Sequence, residues 1–178
     1  MSAKAASSRN TAQWPDLAGR LLDDGRRHVL PVRVYYEDTD AGGVVYHASY
    51  LRFCERARSD WLRLLGVHHG ELSGDDGRAL YFVVRRMQCD FLRPARLDDV
   101  LEVRSHILRA TPVRLEAWQE VHLAQPGAHW QEQLPQTGPI FSASVTVAVI
   151  DDSGRPARLP QWAREEMRRL AADEQGAK

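Results

Sequence analysis

Leu30, Val32, Val34 and Tyr36 alternate with Pro31, Arg33 and Tyr35, a period of two that predicts a strand with one buried face. The pattern then changes. Residues 49–65 hold no Gly or Pro, and Leu51, Cys54, Ala57, Trp61, Leu62 and Leu65 recur at helical spacing. Arg52, Glu55, Arg56, Arg58 and Arg63 supply the polar face, and Gly66 is the expected stop. Period two returns at 82–92, where Met87, Cys89 and Phe91 oppose Arg86, Gln88 and Asp90. It recurs through Leu101, Val103, Ser105 and Ile107, through Val113, Leu115, Ala117 and Val121, and through Ala143, Val145, Val147 and Val149. Pro94, Thr111-Pro112 and Asp152-Ser153-Gly154 punctuate these runs. Residues 123–139 read as a long polar connection, and Ala163, Met167 and Leu170 predict a terminal helix. Before the first strand, Trp14, Leu17, Leu21 and Leu22 suggest a short helix ending near Gly25, preceded by a disordered tail.

Strand, long helix, then a run of strands is an α+β order, best satisfied by one antiparallel sheet curved around the helix. A single helix covers only one sheet face. The remaining strand face, expected to be apolar, and the sheet edge then call for a partner, so a homo-oligomer is predicted. The 178 residues suit one domain. Three segments are expected: an extension over 1–27, the domain over 28–160, and a helix and tail over 161–178.

Composition narrows the partners. Lys+Arg and Asp+Glu are 24 each, and this balance argues against a nucleic-acid coat. Only Lys4 and Lys178 are lysines, so arginine carries nearly all the positive charge. Local Arg clusters that hold phosphate or carboxylate would be one use of that bias. Cys54 and Cys89 form neither a disulfide framework nor a CxxC pair. No apolar run reaches the ~20 residues of a membrane span, and the first residues lack a secretory apolar core. A soluble, cytoplasmic setting is the expectation.

The chemistry concentrates between 35 and 65, where Glu37, Asp38, Asp40 and the Gly42-Gly43 pair precede the long helix and His47 sits at its entrance. A helix N-terminus presents unpaired N–H groups to an anion or a polarised carbonyl oxygen. A carboxylate brought back to that point by a glycine turn makes an acyl-transfer site. The same residues also read as plain turn and cap chemistry, with Asp38 and Asp40 bonding their own loop. Spacing alone leaves both readings open. His68-His69 lacks the i, i+4 spacing of a zinc helix, and no metal is expected.

The stretch VYYEDTDAGGVVYHASYLRFCERARSDWLRLLG resembles the signature of YbgC-type acyl-CoA thioesterases, hotdog-fold proteins grouped with 4-hydroxybenzoyl-CoA thioesterase. FVVRRMQCDFLRPARLDDVLEV and SVTVAVIDDSGRPARLP resemble that family's following strands and exit, so the likeness spans about 30–160. The resemblance implies a hotdog fold and hydrolysis of an acyl-CoA to a free acid and CoA. It implies Asp40 as nucleophile or general base, and His47 at the helix start, its N–H polarising the carbonyl. Gly43 and Val44 would shape the loop, Tyr36 and Tyr46 would line the acyl group, and Arg86 and Arg93 would meet CoA phosphates. No cofactor is implied, because coenzyme A belongs to the substrate; acyl carrier protein is the alternative carrier. A tetramer built from dimers is implied as well. Two rival readings are a scaffold of the Tol-Pal envelope system at the inner membrane and a hotdog dehydratase acting on carrier-protein substrates. Ser49 stands where the family pattern has asparagine.

Overall fold

The computed structural model describes residues 19–67, 72–127 and 138–171. Strands β1 (Arg20–Leu22) and β2 (Arg27–Arg33) precede helix α1 (His47–Leu64). Strands β3 (Leu80–Phe91), β4 (Val100–Thr111), β5 (Arg114–Gln125) and β6 (Phe141–Asp151) follow, and helix α2 (Gln161–Leu170) closes the described chain. All pairings are antiparallel, in the order β1-β2-β4-β5-β6-β3. The α+β architecture expected from the sequence is present, with β3 at one edge and β1 at the other.

The 18 residues of α1 span about 27 Å across the sheet. Its first three turns bury Tyr50, Phe53, Cys54 and Ala57 against Leu30, Val32, Val34, Leu101, Val103, Val121 and Phe141. Trp61 belongs to a second cluster with Ile107, Leu115, Val145, Val147 and the buried face of α2: Ala163, Met167 and Leu170. Gly66, with φ +78°, ends α1. Val67 N–H bonds to Leu62 C=O at 2.8 Å and Gly66 N–H to Arg63 C=O at 2.9 Å, the paired bonds of a Schellman cap.

Three of the expected elements differ in the structure. Residues 20–22 form a strand and not the end of a helix. Asp23, Asp24 and Gly25 all take positive φ (51°, 53° and 85°), and this tight turn folds β1 onto β2. The rest of the expected helix lies outside the described residues. The first full strand begins at Arg27 and stops at Arg33; Tyr36 belongs to a 3-10 turn, Tyr36–Asp38, because the chain leaves the sheet after Val34 N–H bonds to Asp99 C=O. Leu123 lies inside β5, so the connection after it starts later than its polarity suggested, and its middle lies outside the described residues.

The outward sheet face is polar rather than apolar. Arg104 pairs with Glu102 at 2.8 Å, and Glu120 accepts bonds from Trp118 Nε1 (3.1 Å) and His122 (2.9 Å). Exposed apolar side chains gather instead along β3: Tyr81, Val83, Val84 and Phe91, with Leu92 just beyond.

Candidate active site at the start of the central helix

Between the 3-10 turn and α1 the chain makes a miniature hairpin. Thr39 bridges Val45, Asp40 N–H bonds to Val44 C=O (2.9 Å), and Gly43 N–H bonds to Asp40 C=O (3.0 Å). Gly43 sits at φ +74°, a left-handed conformation that a side chain resists. Both legs are tied to the body of the protein. Tyr46 N–H bonds to Asp38 C=O and Val45 N–H to Ala95 C=O, each at 2.8 Å. Asp38 is 2% exposed, and its carboxylate accepts the Tyr35 N–H at 3.0 Å. Of the two aspartates, Asp38 holds the loop and Asp40 faces solvent.

Asp40 also satisfies the plainer reading in part: its Oδ1 accepts the Gly42 N–H at 2.8 Å. That bond orients the carboxylate and leaves Oδ2 available. A Cβ at Gly42 would come within 3.1 Å of Oδ1, a tight contact that a shift of a few tenths of an ångström in the carboxylate would relieve.

The helix entrance is open. Tyr46 is the N-cap residue but gives no side-chain cap, and the first turn of α1 has no acidic residue. Tyr46 N–H and Ser49 N–H are occupied, the latter by Tyr46 C=O at 2.8 Å. Among the described residues the N–H groups of His47 and Ala48 are the open donors, at the positive end of the helix dipole. The His47 ring is exposed, 4.3 Å from the Tyr46 ring and 6.3 Å edge-on from Phe91. No hydrogen bond joins Asp40 to His47 among the described residues.

Beneath this entrance lies an aromatic support that the linear pattern did not single out. Tyr50 stacks on Phe141 at 5.1 Å and meets Phe91 and Phe53 edge-on. Its hydroxyl accepts the Ala95 N–H at 3.0 Å, and the Ala95 carbonyl in turn holds Val45. Burial pushes the Tyr50 phenol above its ordinary pKa, so it stays neutral. Only the placement of Tyr50 three residues after His47 hinted at this; apart from Phe53, its partners lie far away in sequence.

The structure thus brings Asp40, Gly43, Val44, Tyr46 and His47 together at one end of α1. Val44 is half-buried and bridges Arg96, while Tyr46 is exposed. Tyr36 lies on the neighbouring 3-10 turn, 82% exposed, and so forms no enclosed wall in a single chain. Arg86 and Arg93 do not converge. Arg86 is exposed at a β-bulge in β3, and roughly 20 Å of extended chain separates the two. Arg93 donates to the carbonyls of Gly138 (2.8 Å) and Pro139 (3.0 Å), bracing a loop. His68 and His69 lie outside the described residues.

Sequence and structure comparisons agree on kinship. The Thioesterase superfamily model matches residues 42–128, from the hairpin tip through β5. The acyl-CoA thioester hydrolase YbgC of Escherichia coli O6:H1 is 56% identical over 77 residues, covering 43% of this chain and 55% of that protein. The acyl-CoA thioesterase YbgC of Helicobacter pylori (strain ATCC 700392 / 26695) is 44% identical over 93 residues, covering 52% and 65%. The chain therefore spans little more than half to two thirds of these curated relatives. A solved structure from Bartonella henselae, a "Probable Thioesterase", is 38% identical, covers 75% of this chain and 99% of its own, and superposes with a TM-score of 0.65. A relationship of that length and identity, resting on the same helix and strands that frame the open α1 entrance, makes this chain a hotdog-fold member of the thioesterase superfamily.

Proposed function

We propose that the chain is an acyl-CoA thioesterase, releasing a free carboxylic acid and CoA. The observation that carries this is the uncapped α1 N-terminus beside a solvent-facing Asp40. A helix that only had to be stable would gain about 1 kcal/mol from a side-chain cap. Here the cap is missing and the donors remain for a carbonyl oxygen. In this reading the thioester oxygen accepts from the His47 N–H, which strengthens as negative charge develops on that oxygen. Asp40 attacks the carbonyl carbon to give a mixed anhydride and CoA thiolate, the anhydride then being hydrolysed. Alternatively, Asp40 removes a proton from water as that water attacks. Tyr46 and Val44 border the acyl group, with Tyr36 contributing from the adjoining turn. The names borne by the YbgC relatives support CoA as the carrier. A chloroplastic acyl-acyl carrier protein thioesterase of Arabidopsis thaliana, 26% identical over 133 residues, keeps carrier protein as the second possibility.

The same reading extends to assembly and setting. β3 is a 12-residue edge strand with Val84, Phe91 and Leu92 about half exposed, which favours association of two copies along this edge and a tetramer of such dimers. Arg86, on that strand, would meet a CoA phosphate only in such an assembly. Arg93, which donates to the backbone carbonyls of Gly138 and Pro139, would brace the loop near the mouth. No helix among the described residues is long and apolar enough to cross a membrane, and we keep the cytoplasm as the working location. Thiol release measured over short, long and aromatic acyl-CoAs tests the assignment. Hydrolysis of at least one class, lost in Asp40→Asn, is expected; no release from any of them would favour a scaffold or a dehydratase.

A further inference from the structure

Helix α1 begins without a side-chain cap, yet its entry angle is fixed by a bridge of another kind. Counting from the N-cap Tyr46, Val45 is the residue before it and Tyr50 the fourth residue inside the helix. Those are the two positions that a hydrophobic staple joins to set how a chain enters a helix. Here the backbone of Ala95 stands between them. Ala95 N–H donates to the Tyr50 hydroxyl at 3.0 Å, and Val45 N–H donates to the Ala95 carbonyl at 2.8 Å. All three residues are buried in one core cluster. The loop that carries Ala95 is itself pinned. Arg96 N–H donates to Asp99 Oδ2 and Gly127 N–H to Asp99 Oδ1, each at 2.8 Å, and Val34 N–H donates to the Asp99 carbonyl at 2.9 Å. Val45 in turn bridges Thr39, and the Val44 carbonyl accepts the Asp40 N–H, so the leg that Ala95 holds carries Asp40.

A capping side chain would help fix the same angle by occupying the first N–H groups of the helix. The bridge fixes it one turn further in and leaves the N–H groups of His47 and Ala48 open. We infer that Tyr50 is a positioning residue: through Ala95 and Val45, its hydroxyl sets the distance between the Asp40 carboxylate and the α1 N-terminus. The inference rests on the proposed hydrolysis, in which those two groups must reach one thioester carbonyl. Tyr50 is 3% exposed and lies beneath the site, so it acts through the hairpin. Without the hydroxyl, the buried Ala95 N–H lacks an acceptor, and an unpaired buried donor costs enough to draw the backbone toward another. Any such shift passes to Val45 through the Ala95 carbonyl. A displacement of about 1 Å at a reacting group can cost about 10²-fold in rate.

Tyr50→Phe in the full chain tests this, because it keeps a ring to stack on Phe141 and removes the hydroxyl alone. With the acyl-CoA that the unaltered chain hydrolyses fastest, kcat should fall at least about tenfold while KM stays within about twofold, the mark of an interaction used in the transition state. Val45 amide exchange should quicken, and that of Val67, at the far end of α1, should not. Val103→Ala, a cut in the same core cluster that breaks none of these bonds, should lower the melting temperature at least as far and leave kcat within about twofold. A Tyr50→Phe kcat within about twofold of the unaltered chain overturns the inference. An equal loss of kcat in Val103→Ala overturns it too, since activity then follows stability. No thiol release by the unaltered chain overturns the hydrolysis beneath it, and the role with it; the first two results overturn the role alone.

Discussion

The two ends of α1 are built to opposite specifications. The C-terminal end uses several means of closing a helix. It has a left-handed Gly66, two Schellman bonds and Val67 buried against Leu62. Asp60, one turn before, grips His28 Nε2 at 2.7 Å and the Gly19 N–H at 2.9 Å. Trp61 sends its indole N–H to the Gly25 carbonyl at 3.2 Å. The N-terminal end has no side-chain cap and exposed neighbours. Stability is concentrated where the helix meets the β1–β2 hairpin, and unsatisfied donors where it meets solvent. An omitted cap is informative because the same helix shows how well the chain can close an end.

Separating the two ends experimentally gives the largest effects. Asp40→Asn should lower acyl-CoA hydrolysis by about 10²–10⁴-fold with an unchanged melting temperature, since an amide oxygen keeps the Gly42 bond. A variant with full activity would remove Asp40 from the chemistry. Trp61→Ala should do the reverse, costing about 3–5 kcal/mol in denaturant unfolding while the folded fraction hydrolyses at the original rate. If activity falls as far as stability in that variant, the ends are not independent.

A smaller effect comes from pH. Burial lowers the His28 pKa below 6.5, with Asp60 opposing the shift, so the folded chain keeps a neutral imidazole with Nε2–H toward Asp60. Below about pH 6.5 the unfolded chain takes up a proton that folded His28 does not, and stability falls as pH drops through that range. His28→Gln should flatten this acid slope in pH-dependent melts. His106, also lowered by burial, sustains the remainder. An unaltered slope would show that this pin is not what titrates. Smallest of all, Arg104→Ala on the polar outer face should change stability by less than about 0.5 kcal/mol, its pair being half-exposed.

Much of this was legible in the sequence, for local reasons. The helical period over 49–65, the stop at Gly66 and the alternation of four later strands are signals carried by neighbouring residues. The open end of α1 was legible too, as acids, glycines and His47 at a helix start. What escaped depended on distance. Arg58 looks like surface until Gln119, far along the chain, meets it. Tyr50 looks like a generic core residue until Phe141 and Ala95 arrive from other strands and loops. The β1–β2 hairpin was missed because a few apolar residues at loose helical spacing outweighed the turn-forming Asp-Asp-Gly beside them.

The miniature hairpin at 39–45 has a consequence for how such a protein diversifies. Its position is fixed by main-chain bonds: Asp40 to Val44, Val45 to Ala95 and Tyr46 to Asp38. Main-chain bonds are indifferent to most substitutions. Ala41, Val44 and Tyr46 can therefore exchange side chains, and with them the surface offered to an acyl group, while the carboxylate and the open helix end keep their places. Under the proposed function, substrate range would be an inherited variable, and the reaction geometry a constant, within a single loop.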